Sequence, residues 1–483
     1  MPLNNAGIEH EIAALTNEVQ VMKGSESLLV GQLKNLRSSL QNREYRIAQL
    51  HNFSSPIGSL PNEILAEVFK TGSSTAWDSL DFAMSVSQVI QRWRGVALSI
   101  PSLWAFIHIG FLSRGKWLRL MKVFLKRSLE NPLDIIIHFN QETPQNIRIA
   151  YPADPLDYLE ELLLMVVHRW RRISVVGTVA EDVFQIIRHF RWLSVPLLET
   201  LELKALDDEL FPYWAQPLYI FEGGAPQLKH IKIEGLSLSF CHPPPSSLLS
   251  LHLDPQQLSV LGEIQATLAG ANNLTDLHIL GNIGIPSSGL HELKIPSLRS
   301  LSILTDPAQP FDDLFYFLGS LEAPSLEHLI VHCTFLARRE PDFDRISGDY
   351  QHPQLLSLTL CCSGTIHPWE ATCLVMTFPS ITHLALEVDI DGSFKDLIYE
   401  LLPRDHDPDE QEWQQQSDSL AWPQLSVFAL FFWSWRDLDA LCDVVSSRIL
   451  YGAPIACVQL PELSSIPVET LKWLQERVTV EEI

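Results

Sequence analysis

One phrase restricts what this chain can fold into more than anything else in it. Pro-x-Leu-x-x-Leu-x-Leu recurs with small variations as PLLETLEL from Pro196, PQLKHIKI from Pro226, SSLLSLHL from Ser246, NNLTDLHI from Asn272, PSLRSLSI from Pro296, PSLEHLIV from Pro324, PQLLSLTL from Pro353, PSITHLAL from Pro379 and PQLSVFAL from Pro423. The second leucine-type positions, Leu201, Ile231, Leu251, Leu277, Leu301, Leu329, Leu358, Leu384 and Phe428, mostly lie 20 to 30 residues apart. Alternating apolar residues over so short a run make a strand with one buried face. No single unit of this size can bury that face alone, so successive units must stack.

The period is that of leucine-rich repeats, and the expected fold class is α/β, with a repeat solenoid over residues 105–483. Helix-then-strand segments at Lys116 to Leu129 before Leu133 to Phe139, and near Leu156 to Trp170 before Ile173 to Val176, extend the array back to Phe106-Ile107. Asparagine follows the strand only at Asn282, so the repeats are degenerate. An acidic, glutamine-rich insertion at 404–418 stretches the last gap and reads as a protruding loop. Helices around Arg436 to Arg448 and Val468 to Arg477, with the aromatic run Phe428, Phe431, Phe432, Trp433 and Trp435, are expected to close the array.

Strand residues between the inward leucines form the opposite face. One file reads Thr200, His230, Ser250, Asp276, Ser300, His328, Ser357, His383 and Val427. The next reads Glu202, Lys232, His252, His278, Ser302, Ile330, Thr359, Ala385 and Ala429. His230, Lys232, His252, Asp276, His278, His328 and His383 are therefore the candidate target-binding residues of a concave face. Its histidines would favour an acidic or polar partner as they charge near pH 6.

Residues 8–50 carry a different periodicity. Ile8, Ile12, Leu15, Val19, Met22, Leu29, Leu33, Leu36, Leu40, Ile47 and Leu50 fall on alternating three- and four-residue steps, with Glu26 and Arg43 in the two remaining places. About six heptads of this kind predict a coiled coil that self-associates or pairs with another protein. Charges at seam positions would set register or orientation.

A serine, proline and glycine break follows Phe53, and a small helical unit occupies 55–104. Ser59 is the expected cap of its first helix, on which Ile64, Leu65, Val68 and Phe69 form one apolar face. Phe82, Val86, Val89, Trp93 and Val96 step along one side of a second helix that ends at Pro101.

Leu60-Pro61-x-Glu63-Ile64-Leu65-x-x-Val68-Phe69, then Val89-x-x-Arg92-Trp93-Arg94, then Ala97-Leu98-Ser99-x-Pro101-x-Leu103-Trp104 resemble the F-box, in particular its variant in mushroom-forming fungi. There an N-terminal coiled coil precedes the box and irregular leucine-rich repeats follow it. The resemblance implies a non-catalytic substrate-recognition subunit of an SCF-type ubiquitin ligase. Leu60, Pro61, Glu63, Ile64, Leu65, Phe69, Val89 and Trp93 would bind a Skp-family adaptor and, through it, a cullin scaffold, Trp93 chiefly by packing the box. The repeat face would hold an unknown target protein. The alternative is a coiled-coil scaffold with a recognition solenoid and no ligase role.

Composition excludes several classes. With 58 acidic against 34 basic residues and a formal net charge of -24, the chain repels a phosphate backbone, so no nucleic-acid partner is expected. The basic clusters Lys116 to Arg127 and Arg169 to Arg172 read as solvated helix faces. No apolar run approaches the ~18 residues that span a bilayer, and the start lacks a secretory pattern, so the expectation is a protein of the cytoplasm or nucleus, without a membrane partner. The seven cysteines include no CxxC spacing, and Cys361, Cys362, His367 and Cys373 read as core on a strand and the following helix rather than as metal ligands. No nucleotide-binding, hydrolase, metalloprotease or kinase signature occurs, so neither catalytic residues nor cofactors are expected.

Overall fold

The computed structural model describes residues 5–54, 56–75, 79–110, 116–139, 161–206, 218–236, 241–254, 259–260, 268, 270–280, 283–284, 293–304, 311–335, 352, 354–364, 368–388, 398, 421–431 and 435–483. They form two compact units, Met1–Leu103 and Trp104–Ile483. The 404–418 insertion, Asn282 and His367 lie outside the described residues.

The first unit opens with one unbroken 50-residue helix, α1 (Asn5–Ser54), about 75 Å long at 1.5 Å per residue. Every seam residue is exposed, from 44% at Ile8 to 69% at Leu36. The helix runs straight through Gly24 and Gly31, around which nothing lies within 4 Å of an added Cβ. A 3-10 turn at Pro56–Ser59 then leads to α2 (Asn62–Thr75), α3 (Ser79–Val89) and α4 (Gln91–Leu98).

Two expectations change here. Ser59 does not cap α2: its hydroxyl donates back to the Pro56 carbonyl at 2.7 Å, and the first helical bond runs from the Leu65 amide to the Pro61 carbonyl. Nor do Phe82 to Val96 share one helix, because Ile90 adopts an extended backbone (φ -145°, ψ 161°) and separates α3 from α4. A side-chain pattern kept its helical step across the break while the backbone did not.

The second unit is mixed α/β and, among the described residues, is built on one 14-stranded sheet whose neighbours are all parallel. Its strands are β1 (Phe106–Gly110), β2 (Leu133–His138), β3 (Trp170–Gly177), β4 (Thr200–Ala205), β5 (His230–Glu234), β6 (Ser250–Asp254), β8 (Asp276–Leu280), β11 (Ser300–Leu304), β13 (His328–Phe335), β14 (Ser357–Gly364), β15 (His383–Val388), β16 (Val427–Leu430), β17 (Cys457–Leu460) and β18 (Thr479–Glu482), in chain order. Two two-residue pairs lie outside it: β7 (Ser259–Val260) with β9 (Ile283–Gly284), and β10 (Leu293–Lys294) with β12 (Leu321–Glu322).

All nine phrases make strands of this sheet, and none of their three leucine-type positions is more than 2% exposed. At roughly 1.5–3 kcal/mol for each fully buried aliphatic side chain, these rows are the principal stabilising term of the unit. In eight of the nine phrases the carbonyl of the residue three before the first leucine accepts from that leucine's amide and closes a turn, as in Ala225 to Leu228, Ile295 to Leu298 and Trp422 to Leu425. That position is itself interior in eight of nine copies: Val195, Ala225, Ala271, Ile295, Ala323, His352, Phe378 and Trp422 are buried. Gly235, at the exit of β5, takes φ +71° and lies so close to the Ala205 carbonyl that any side chain would collide with it.

The ends of the unit depart from expectation. Trp170 opens β3 rather than closing an α-helix; Arg169 ends a short 3-10 turn, Val167–Arg169, and Arg171 and Arg172 lie at the strand's start instead of on a helix face. Helices Trp435–Leu450 and Val468–Gln475 do not close the array, since each is followed by a further strand, β17 and β18. Phe428 is buried but Phe431 is 39% exposed; Phe432 and Trp433 lie outside the described residues. Cys361 and Cys373 fall on a strand and the helix after it, as the sequence suggests, but of the two only Cys373 is core: Cys361 is half-buried and its thiol donates to Glu387.

Candidate functional site

In the helical unit, α2 has two apolar faces rather than one. Leu65 and Phe69, one turn apart, are 0% and 1% exposed, and the Phe69 ring meets Trp93 edge-on at 5.3 Å. Ile64 and Val68, turned about 100° away, are 49% and 47% exposed and line up with exposed Pro61. Leu65 and Phe69 are therefore interior packing residues and are withdrawn from the contact surface. Trp93 is half-buried against Phe69, and its indole N–H is buried with no hydrogen-bond partner among the described residues. Leu60 is half-buried, whereas Glu63 and Val89 are exposed.

Arg92 holds this surface in place. Its guanidinium donates to the Gly58 carbonyl (2.6 Å), to the Leu60 carbonyl and to Asn62 Oδ1 (2.9 Å). Three bonds from α4 thus fix the segment that delivers Leu60-Pro61 to the start of α2. The planar fork of arginine suits this divergent set of acceptors, which a lysine ammonium could not span.

On the sheet, the register unites both predicted files. Thr200, His230, Ser250, Asp276, Ser300, His328, Ser357, His383 and Val427 pair in sequence, as do Glu202, Lys232, His252, His278, Ser302, Ile330, Thr359, Ala385 and Ala429. The histidines do not form one cluster. His252 and His278 are neighbours with rings 5.6 Å apart, while His230, His328 and His383 are separated by intervening strands. Among the described residues no three metal-ligating side chains converge.

A third file, which the sequence reading left out, carries the densest charge. Lys204, Glu234 and Asp254 lie side by side on β4, β5 and β6. Glu234 accepts from Lys204 at 2.6 Å and from Lys232 at 2.5 Å, and His252 Nε2 stands 3.9 Å away. Burial works to raise the Glu234 carboxyl, but the two lysines outweigh it and hold it below the ordinary glutamate value. Asp254 is pushed up by burial and by Glu234 beside it. Carrying the alternation two residues further along each phrase would have revealed this file.

Burial, together with Lys232 and His278, depresses His252, and burial depresses His332 on β13. The expectation that the face charges near pH 6 is thus corrected for His252, one of its five histidines, which burial and its neighbours push down; His332 lies outside the two predicted files. Arg171 clasps Asp134 with two hydrogen bonds, 2.8 and 2.5 Å, and Arg172 stands 3.8 Å from Glu202, so this basic cluster is paired within the sheet.

Along the edge where β5, β6, β8 and β11 begin runs a groove of about 480 Å³, lined by Lys229, Ser247, Asn273, Thr275, Ser297, Arg299 and Ser325. Much of its polarity is engaged in the fold: Ser247, Thr275 and Ser297 donate to the Leu228, Leu249 and Leu274 carbonyls at 2.8, 3.0 and 2.8 Å. Among the described residues no helix is long and apolar enough to cross a membrane.

No family model matches the sequence, and no curated protein does. Among solved structures the chain is similar to a Bacteroides fragilis protein determined as a structural genomics target, with 14% identity and a TM-score of 0.28 over 68% of this chain and 72% of that one.

Proposed function

We propose that the chain is a non-catalytic substrate-recognition subunit of an SCF-type ubiquitin ligase. Residues 55–104 serve as an F-box that docks a Skp-family adaptor and, through it, a cullin scaffold. The sheet unit serves as a degenerate leucine-rich-repeat solenoid whose polar face binds a target protein, in the cytoplasm or nucleus. The observation that carries this reading is the Pro61, Ile64 and Val68 stripe, an exposed apolar strip on a helix whose entry segment is fixed by Arg92. Rigid presentation of apolar side chains is what a helix-docking surface needs. The target surface comprises His230, Lys232, His252, Asp276, His278, His328 and His383, to which the third file adds Lys204, Glu234 and Asp254.

Co-purification with a Skp-family adaptor tests it. The chain retains the adaptor, and Ile64→Asp with Val68→Asp abolishes retention while leaving the helical signal intact, because neither side chain is buried. A wild-type chain that fails to retain the adaptor, or a double variant that still does, overturns the ligase reading. The bare seam of α1 supports a second reading, a scaffold with a recognition solenoid and no ligase role, which then stands.

A further inference from the structure

The seam of α1 is an apolar stripe along a helix of 50 residues, exposed throughout, and it carries two charges of opposite sign. With Ile12, Val19, Leu33, Leu40 and Ile47 at one set of core positions and Leu15, Met22, Leu29, Leu36 and Leu50 at the other, Glu26 belongs to the first set and Arg43 to the second. A parallel, in-register pair would set Glu26 against Glu26 and Arg43 against Arg43. Like charges would then face each other twice inside an apolar seam, the least favourable arrangement open to them.

An antiparallel pair joins the first set of one helix to the second set of the other. One register of that kind brings Glu26 opposite Arg43 of a second copy, and by symmetry Arg43 opposite Glu26. The remaining layers in it are Val19–Leu50, Met22–Ile47, Leu29–Leu40 and Leu33–Leu36, all apolar. The two-fold axis passes between Lys34 and Asn35, and the flanking Lys23 stands beside Glu44 of the other copy. Sliding by one heptad sets Glu26 against Leu36 or Leu50, leaving both charges without a partner. Gly24 and Gly31 fall at the outermost heptad position, away from the seam.

We propose that α1 pairs with α1 of a second copy of this chain as an antiparallel coiled coil over residues 19–50, about 48 Å of overlap, its register set by Glu26 and Arg43. The charge pattern specifies the occupant: a seam holding one acidic and one basic residue is complementary to itself only in this orientation. Isologous pairing of this kind closes as a dimer.

Sedimentation equilibrium of the full chain provides the test. The wild type forms a dimer at micromolar concentration. Glu26→Arg and Arg43→Glu each weaken it, on the order of tenfold or more, since each creates two like-charge layers. The double variant Glu26→Arg/Arg43→Glu restores wild-type affinity. A monomeric wild type overturns the proposal, as do single variants that dimerise as tightly as wild type, which is what parallel pairing predicts. Both side chains are exposed, so folding is not at stake. Orientation is read independently by mixing Val19→Cys and Leu50→Cys chains of different mass under mild oxidation, with the parent chain as blank. Only the mixed species cross-links; self-linked species would overturn the antiparallel arrangement.

Discussion

Arg92 and Arg448 solve the same problem in different units, organising backbone carbonyls that no helix or strand satisfies. Arg448 is fully buried, donates to the Ala421, Trp422 and Ala453 carbonyls at 2.9, 2.8 and 3.2 Å, and is pulled down to about 10 by burial. Arg448→Met should cost about 3 kcal/mol in denaturant unfolding, since it strands two carbonyls. Arg92→Ala should strip hydrogen-exchange protection from the Leu60 and Leu65 amides and with it adaptor retention, while the sheet's protection is unchanged. Glu234 makes a pH-dependent contribution. Its native carboxyl titrates below the ordinary value of 4.5, so its stabilisation is fully present above that pH and fades as pH falls through the native value. Glu234→Gln should therefore be less stable than wild type at pH 7, and the gap should close in acid. Neither arginine's role was legible in sequence. Arg92 reaches partners 30 to 34 positions away, and a basic residue beside a tryptophan has no periodic signature.

At the scale of elements, legibility follows period. A strand alternates every second residue, so one aligned phrase locates both faces of every repeat, and the register rows follow without further information. Helix α2 offers two i, i+4 apolar pairs, Ile64/Val68 and Leu65/Phe69, about 100° apart. Their composition is nearly the same, so only the contact of Phe69 with Trp93, from another helix, decides which pair turns inward. The break at Ile90 was hidden for a related reason: two short helices in sequence preserve the step of one. Helix α1 yields a clean prediction because nothing lies within 4 Å of a Cβ added at Gly24 or Gly31. Gly24→Ala and Gly31→Ala should each stabilise it by about 1 kcal/mol, read as a rise in the thermal midpoint of the helical signal. A loss at either site would mean that a partner approaches the outer face.

At the scale of the molecule, the main sheet pairs each strand only with its neighbours in chain order. Stability in such an array is a sum of local terms, so its ends should open before its middle. Native-state hydrogen exchange should find the amides of β8, β11 and β13 most protected and those of β1 and β18 least; uniform protection would point to a single cooperative block. The helical unit, compact by itself, should contribute its own transition, so a single unfolding free energy will not describe the chain.

The bare length of α1 bears on valency. Two helices lying head to tail release their following helical units at opposite ends of the rod, roughly 45 Å apart from Leu50 to Leu50. If the sheet unit holds a target as proposed, each such dimer presents that face twice, and a target bearing two copies of a weakly held segment would meet the second at a high effective concentration. Retention could rise by two or more orders of magnitude with no new contact. Under that proposal modest affinity at each sheet face would suffice, and targets that are themselves oligomeric would be held selectively over monomers.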